Sequence, residues 1–91
     1  MLYSLITTFI VVGIPSIPPK VSSTIFKDHE ICEIALDDYY KNIRVVERVE
    51  VIDMIINPIN KRREVVTRSS HKNNHTFLGY TICVPITTVN E

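Results

Sequence analysis

Between Asp28 and Ile43 the apolar residues return every three or four positions, and this spacing constrains the chain more than any other feature. Ile31, Cys32, Ala35, Leu36, Tyr39, Tyr40 and Ile43 share one broad face of a helix. Glu30, Glu33, Asp37 and Lys41 fall on the opposite face. Asp28 stands just before the first turn, where its carboxylate can accept from an otherwise unpaired amide. A helix with one apolar face gains most of its stability from what it packs against, so this one needs a sheet to cover.

The sheet material follows. Arg44 to Ile56 is crowded with β-branched residues: Val45, Val46, Val49, Val51, Ile52, Ile55 and Ile56. Its alternation changes parity, from Val45, Val49 and Val51 to Ile52, Met54 and Ile56, which predicts a bulge or turn near residues 51 to 53. Asn57-Pro58-Ile59-Asn60-Lys61 has turn composition. Glu64 to Arg68 is a second short strand, and Ser69 to His75 a polar loop. Thr76 to Val84 is a third strand, with Leu78, Tyr80, Ile82 and Val84 alternating against Phe77, Gly79, Thr81 and Cys83. Pro85 ends it. The order predicts an α+β fold: one amphipathic helix packed on a small antiparallel sheet of three or four strands.

The first residues read differently. Leu2 to Ile14 carries no charge, and its apolar stretch of about 13 residues suits a signal-peptide core while falling short of a membrane-spanning helix. Pro15, Pro18 and Pro19 prevent a helix from continuing. Residues 1–23 are therefore expected to be a leader, cleaved after Ser23 or Ser16, and 24–91 a single domain. The same β-branched residues also suit a buried strand of an intact chain. Asn74-His75-Thr76 is a glycosylation acceptor, meaningful in a secreted protein.

Composition removes several kinds of function. Ten basic residues balance ten acidic ones, and there is no tryptophan, so the charge and aromatic pattern of a nucleic-acid binder is missing. Two glycines, Gly13 and Gly79, are too few and too far apart for a phosphate-cradling loop. At 45% apolar, the 91-residue chain is too hydrophobic for a disordered tail.

Among residues that carry chemistry, Cys32 and Cys83 are the only cysteines, 51 positions apart. One lies on the apolar face of the helix and the other near the end of the last strand. In an oxidising compartment they are expected to form a disulfide; in a reducing one they are two buried thiols. His71 and His75 have a metal-like i, i+4 spacing but sit in a polar loop with no evident further ligand except His29, so no metal and no cofactor is expected. Lys61-Arg62-Arg63 is either a solvated turn or a processing site. The carboxylates of Asp37, Asp38, Glu47, Glu50 and Asp53 lie on a helix surface or along a strand, with no cleft to desolvate them for acid–base work. An enzyme is not expected.

The run Ile34-Ala35-Leu36-Asp37-Asp38-Tyr39-Tyr40-Lys41-Asn42, continued by Ile43-Arg44-Val45-Val46 and joined near the C-terminus by Val84-Pro85, resembles the helix, following strand and Val-Pro loop of the cystatins, inhibitors of papain-like cysteine proteases. The resemblance spans roughly residues 25 to 89. It implies a helix-on-sheet fold and two loops that contact a protease, here Val51, Ile52 and Asp53 in the first and Pro85 and Ile86 in the second. The family's Gln-x-Val-x-Gly loop falls near Val49–Asp53, where neither the glutamine nor the glycine is present, and Ile86 replaces the tryptophan of the second loop.

Together these features predict a secreted, non-catalytic, cystatin-like domain that binds another protein, in its narrower form a degenerate inhibitor of a papain-like protease. The alternative is a secreted precursor cut after Lys61-Arg62-Arg63 to release a C-terminal peptide. Neither nucleic acid nor a stable membrane span is expected.

Overall fold

A computed structural model of the chain describes residues 1–13, 16–43, 51–70 and 76–86. The elements are β1 (Tyr3–Val12), β2 (Lys20–Phe26), α1 (His29–Ile43), β3 (Val51–Ile56), β4 (Arg63–Ser70) and β5 (Thr76–Pro85). They form one helix against a five-stranded antiparallel sheet ordered β2-β1-β5-β4-β3. The α+β class is as expected, but the sheet has five strands rather than three or four. The two additional strands come from the segment with leader character. β1 pairs with β5 along its whole length, from Tyr3 opposite Pro85 to Val12 opposite Thr76, and a bond from Ile86 N to Leu2 O lengthens the ladder. An uncharged β-branched run suits a strand with neighbours on both sides as well as it suits a leader core.

The helix begins as its sequence requires. Asp28 Oδ1 accepts from Ile31 N at 2.9 Å, capping the first turn. Cys32 and Leu36 are fully buried, with Tyr39 and Tyr40 packed beside them. Ile31, expected on the buried face, is 41% exposed. Glu33, expected to face away, instead turns toward β4. The buried stripe is thus rotated about the helix axis, because the bridge at Cys32 and an arginine of β4 decide which side meets the sheet.

Residues opposite one another on adjacent antiparallel strands share a face. Leu5, Cys83 and Val65 therefore point to α1, as do Phe26 and Met54 farther out. Cys32 and Cys83 form the expected disulfide, both fully buried, with Cα atoms 6.1 Å apart. It joins the first turns of the helix to the last turn-ward residues of β5, across the middle of the sheet. Beyond the end of the helix the same face becomes polar, and Thr7 and Thr81 bond through their hydroxyls at 3.1 Å.

Two local features have clear causes. Val51–Ile56 pairs with Arg68–Arg63 in unbroken register, so the bulge expected at 51 to 53 is not present there. The 57–61 turn forms as read: Asn57 Oδ1 accepts from Ile59 N at 2.9 Å, and Lys61, at φ 60°, closes the turn in the left-handed region. Gly79 is required by a close approach. A Cβ there would meet Thr67 Oγ1 and would lie 3.1 Å from the Phe9 ring.

Residues 1–23 thus have two possible uses. Cleavage after Ser16 would remove β1, and cleavage after Ser23 would also take the first half of β2, leaving β5 without one of its two partners. The intact mass of the chain expressed in a secreting cell separates these: a product beginning at Ile17 or Thr24 means a leader, and one that keeps Tyr3–Val12 means a central strand. Replacing Cys32 and Cys83 together by Ser is expected to cost about 4 kcal/mol, the loop-closure value for a bridge of this span, read by denaturant unfolding. Gly79→Ala is expected to cost about 1–3 kcal/mol through overpacking against Thr67 and Phe9.

Candidate functional site

Two surfaces stand out, one polar and one apolar. The polar one is a cleft of about 430 Å³ at the start of α1, lined by His29, Glu33, Asn60, Lys61, Arg62 and Arg63. Its shape follows from the β3–β4 turn folding back beside the helix. Arg63, the first residue of β4, reaches down to the helix: its Nε and Nη2 donate to Glu33 Oε2 at 3.0 and 2.6 Å, and its Nη1 donates to Asp37 Oδ1 at 2.9 Å. The hydrogen bonds to Asp37 and then Glu33 raise the guanidinium pKa. A base whose folded pKa is raised contributes stability that is complete below its unfolded value and is lost only as pH rises beyond it. For an arginine that window lies above any pH at which a protein is handled, so as far as the guanidinium is concerned this contribution is flat across the usual range. Glu33 also takes a 2.9 Å contact from His29 Nε2. The Tyr3 ring lies 4.8 Å from the His29 ring and beneath the Arg62 guanidinium, whose carbon is 5.8 Å from the ring centroid.

Of the charges in this cleft, Arg63, Glu33 and His29 are partnered, whereas Lys61 is exposed in the turn. Glu33 and Asp37 are balanced by arginine, and no lone carboxylate is desolvated among them, so the arrangement does not prepare a general acid or base. Among the described residues no group of three or more His, Cys, Asp or Glu could hold a metal. The basic triplet is divided: Lys61 sits exposed in the turn, Arg62 stacks on Tyr3, and Arg63 is fastened to the helix.

The expected protein-contact residues are not brought together. Val51 shares a row with Arg68 and Leu78 at one end of the sheet, whereas Pro85 pairs with Tyr3 at the other end. The span along β5 is roughly 23 Å. Ile52 packs against the core under the helix, and Asp53 is exposed on the far face. Asn74, His71, His75, Glu47 and Glu50 lie outside the described residues.

The apolar surface is the other side of the sheet. Ile6 and Ile10 of β1, Leu78, Tyr80, Ile82 and Val84 of β5, and Val66 of β4 all point away from α1. Val21 and Ile25 of β2 continue it and are each 62% exposed. Among the described residues no element packs over this face. At about 4.8 Å between strands and 3.3 Å per residue, four strands by about seven residues cover roughly 440 Å², the size of a largest apolar patch on a monomer, which is often functional. The alternation in Thr76–Val84 places its large side chains, Leu78, Tyr80, Ile82 and Val84, on the side away from α1.

In limited trypsin digestion the bond after Lys61 is expected to be cut first. The bond after Arg63 should resist, since it lies inside a strand flanked by β3 and β5. Glu33→Gln with Asp37→Asn should lower stability by about 1 kcal/mol, measured by urea unfolding, because the pairs are partly exposed. Among the described residues no helix is long and apolar enough to cross a membrane. No protein-family model matches the chain, and no curated protein or solved structure matches it.

Proposed function

We propose that this chain is a non-catalytic protein-binding domain of an oxidising compartment, and that it binds through the uncovered face of its sheet. The observation that carries this reading is that apolar face. Burying it is worth far more than any contact the partnered charges of the cleft can make, and a partner protein is the surface that matches its size and flatness. The buried Cys32–Cys83 bridge supports the compartment, since disulfides persist where thiols are not kept reduced. Secretion is the route suggested by the leader-like segment and the Asn74 acceptor. Inhibition of a papain-like protease is the narrower form of the proposal and rests on the sequence resemblance, with Val51–Asp53 and Pro85–Ile86 as its contacts. An assay of papain with the oxidised chain tests that form directly.

The broader reading is tested by photocrosslinking. Benzoylphenylalanine placed at Tyr80 in the full chain is expected to give a protein adduct in secreting cells, while the same group at Glu30, exposed on α1, gives none. No adduct from Tyr80, with itself or any other protein, would sink the reading. Tyr80→Lys should still melt cooperatively with its cysteines unreactive, whereas Leu36→Asp should not. A Tyr80→Lys chain that unfolds as completely as Leu36→Asp would make the face part of the folding core.

A further inference from the structure

The residues of the uncovered face are arranged so that the face is complementary to itself. Three parallel rows run across the strands. The middle row is Asp53, Val66, Tyr80 and Thr8, opposite one another on β3, β4, β5 and β1. Two residues to one side lies the row Glu64, Ile82 and Ile6; two residues to the other side lies Arg68, Leu78 and Ile10. β3 adds Ile55 to the first outer row. A two-fold axis laid along the middle row exchanges the outer rows. It sets β4 over β4, β5 over β5 and β1 over β1 of a second copy, with strands antiparallel. Ile82 then faces Leu78 of the copy, Ile6 faces its Ile10, and Glu64 faces its Arg68, each contact occurring twice. Tyr80 meets its own counterpart at the axis.

We propose that this face is an isologous interface, and that its occupant is a second copy of the chain. The proposal deepens the protein-binding reading and rests on it. Three observations favour a copy over another partner. The apolar positions are matched in kind across the axis, isoleucine or leucine on isoleucine. Glu64 and Arg68 are matched in opposite sign, and that pair occurs twice, against a single meeting of Asp53 with its own counterpart on the outer strand β3. The whole five-stranded face, its charged residues included, has a footprint of roughly 700 Å² per chain, against the roughly 800 Å² per partner of a stable interface. Two twisted sheets packed face to face in this way form an aligned sandwich, with about 10 Å between them. The interface uses β1, so it belongs to the chain that keeps Tyr3–Val12.

The test is sedimentation equilibrium of the full, oxidised chain from about 1 to about 100 µM, where a standard-sized interface is populated. A dimer is expected. Glu64→Arg is expected to weaken it at least about tenfold, because it opposes Arg68 of the copy with a like charge. Arg68→Glu should do the same, and the double exchange should restore the affinity. Both positions lie on β4, one strand in from the β3 edge, and retained cooperative melting of each variant confirms that folding is not what changed. A monomer throughout the range overturns the proposal. A dimer indifferent to Glu64→Arg, or one that the double exchange fails to restore, overturns it too. The Tyr80 crosslink keeps the two readings apart: an adduct with a different protein, beside a monomeric chain, leaves protein binding standing and removes the dimer.

Discussion

The disulfide between Cys32 and Cys83 is the constraint on which the remaining packing depends. Among the described residues only Cys32, Leu36, Val65 and Cys83 form the fully buried apolar core, and two of these four are the bridge itself. So small a core supplies little hydrophobic free energy against the chain entropy of a domain of this size. The bridge restricts the unfolded chain and at the same time fixes which part of α1 lies over which part of β5. The buried stripe of the helix follows from that point. Leu36, one turn on, falls over Val65, and Ile31 on the flank is left exposed.

The Arg63 clamp is the second fastening, and it works at the other side of the helix. A guanidinium fork fits two carboxylates a turn apart, so Glu33 and Asp37 fix the rotation of α1 that the bridge leaves free. This contact draws the β3–β4 turn in beside the helix N-terminus and makes the cleft. Arg63, Glu33 and Asp37 are thereby committed to structure, and among the described residues no element packs over the reverse side of the sheet.

β5 explains why the sheet has two different faces. It lies between β1 and β4, and its alternate residues serve separate purposes: Gly79, Thr81 and Cys83 point to the helix, Leu78, Tyr80 and Ile82 away from it. On the helix side the residues are small, to admit Phe9, Thr67 and the bridge. On the other side they are large and apolar, and nothing among the described residues covers them. Large apolar side chains on an uncovered sheet face are stable in water only as a surface that another surface buries.

Several elements were legible in the sequence because they depend on neighbours along the chain. The α1 helix, its Asp28 cap, the Asn57–Lys61 turn and the strand from Thr76 follow from local spacing and local hydrogen bonds, and Cys32 and Cys83 are the only two cysteines the chain offers for a bridge. The number of strands was not legible. Tyr3–Val12 has the composition of a leader and of a central strand alike, and only pairing with β5, far away in sequence, distinguishes them physically. The positions of the candidate sites were hidden for the same reason. Val51 and Pro85 can be placed at opposite ends of one sheet only when the register is known, and Arg63 reads as part of a basic triplet until it is seen on Glu33 and Asp37. By itself the sequence determined the helix, the turn and the residues available for a bridge, since these are short-range. The strand order, the rotation of the helix and the apolar reverse face of the sheet were decided by tertiary structure, because each depends on which distant residues stand opposite one another.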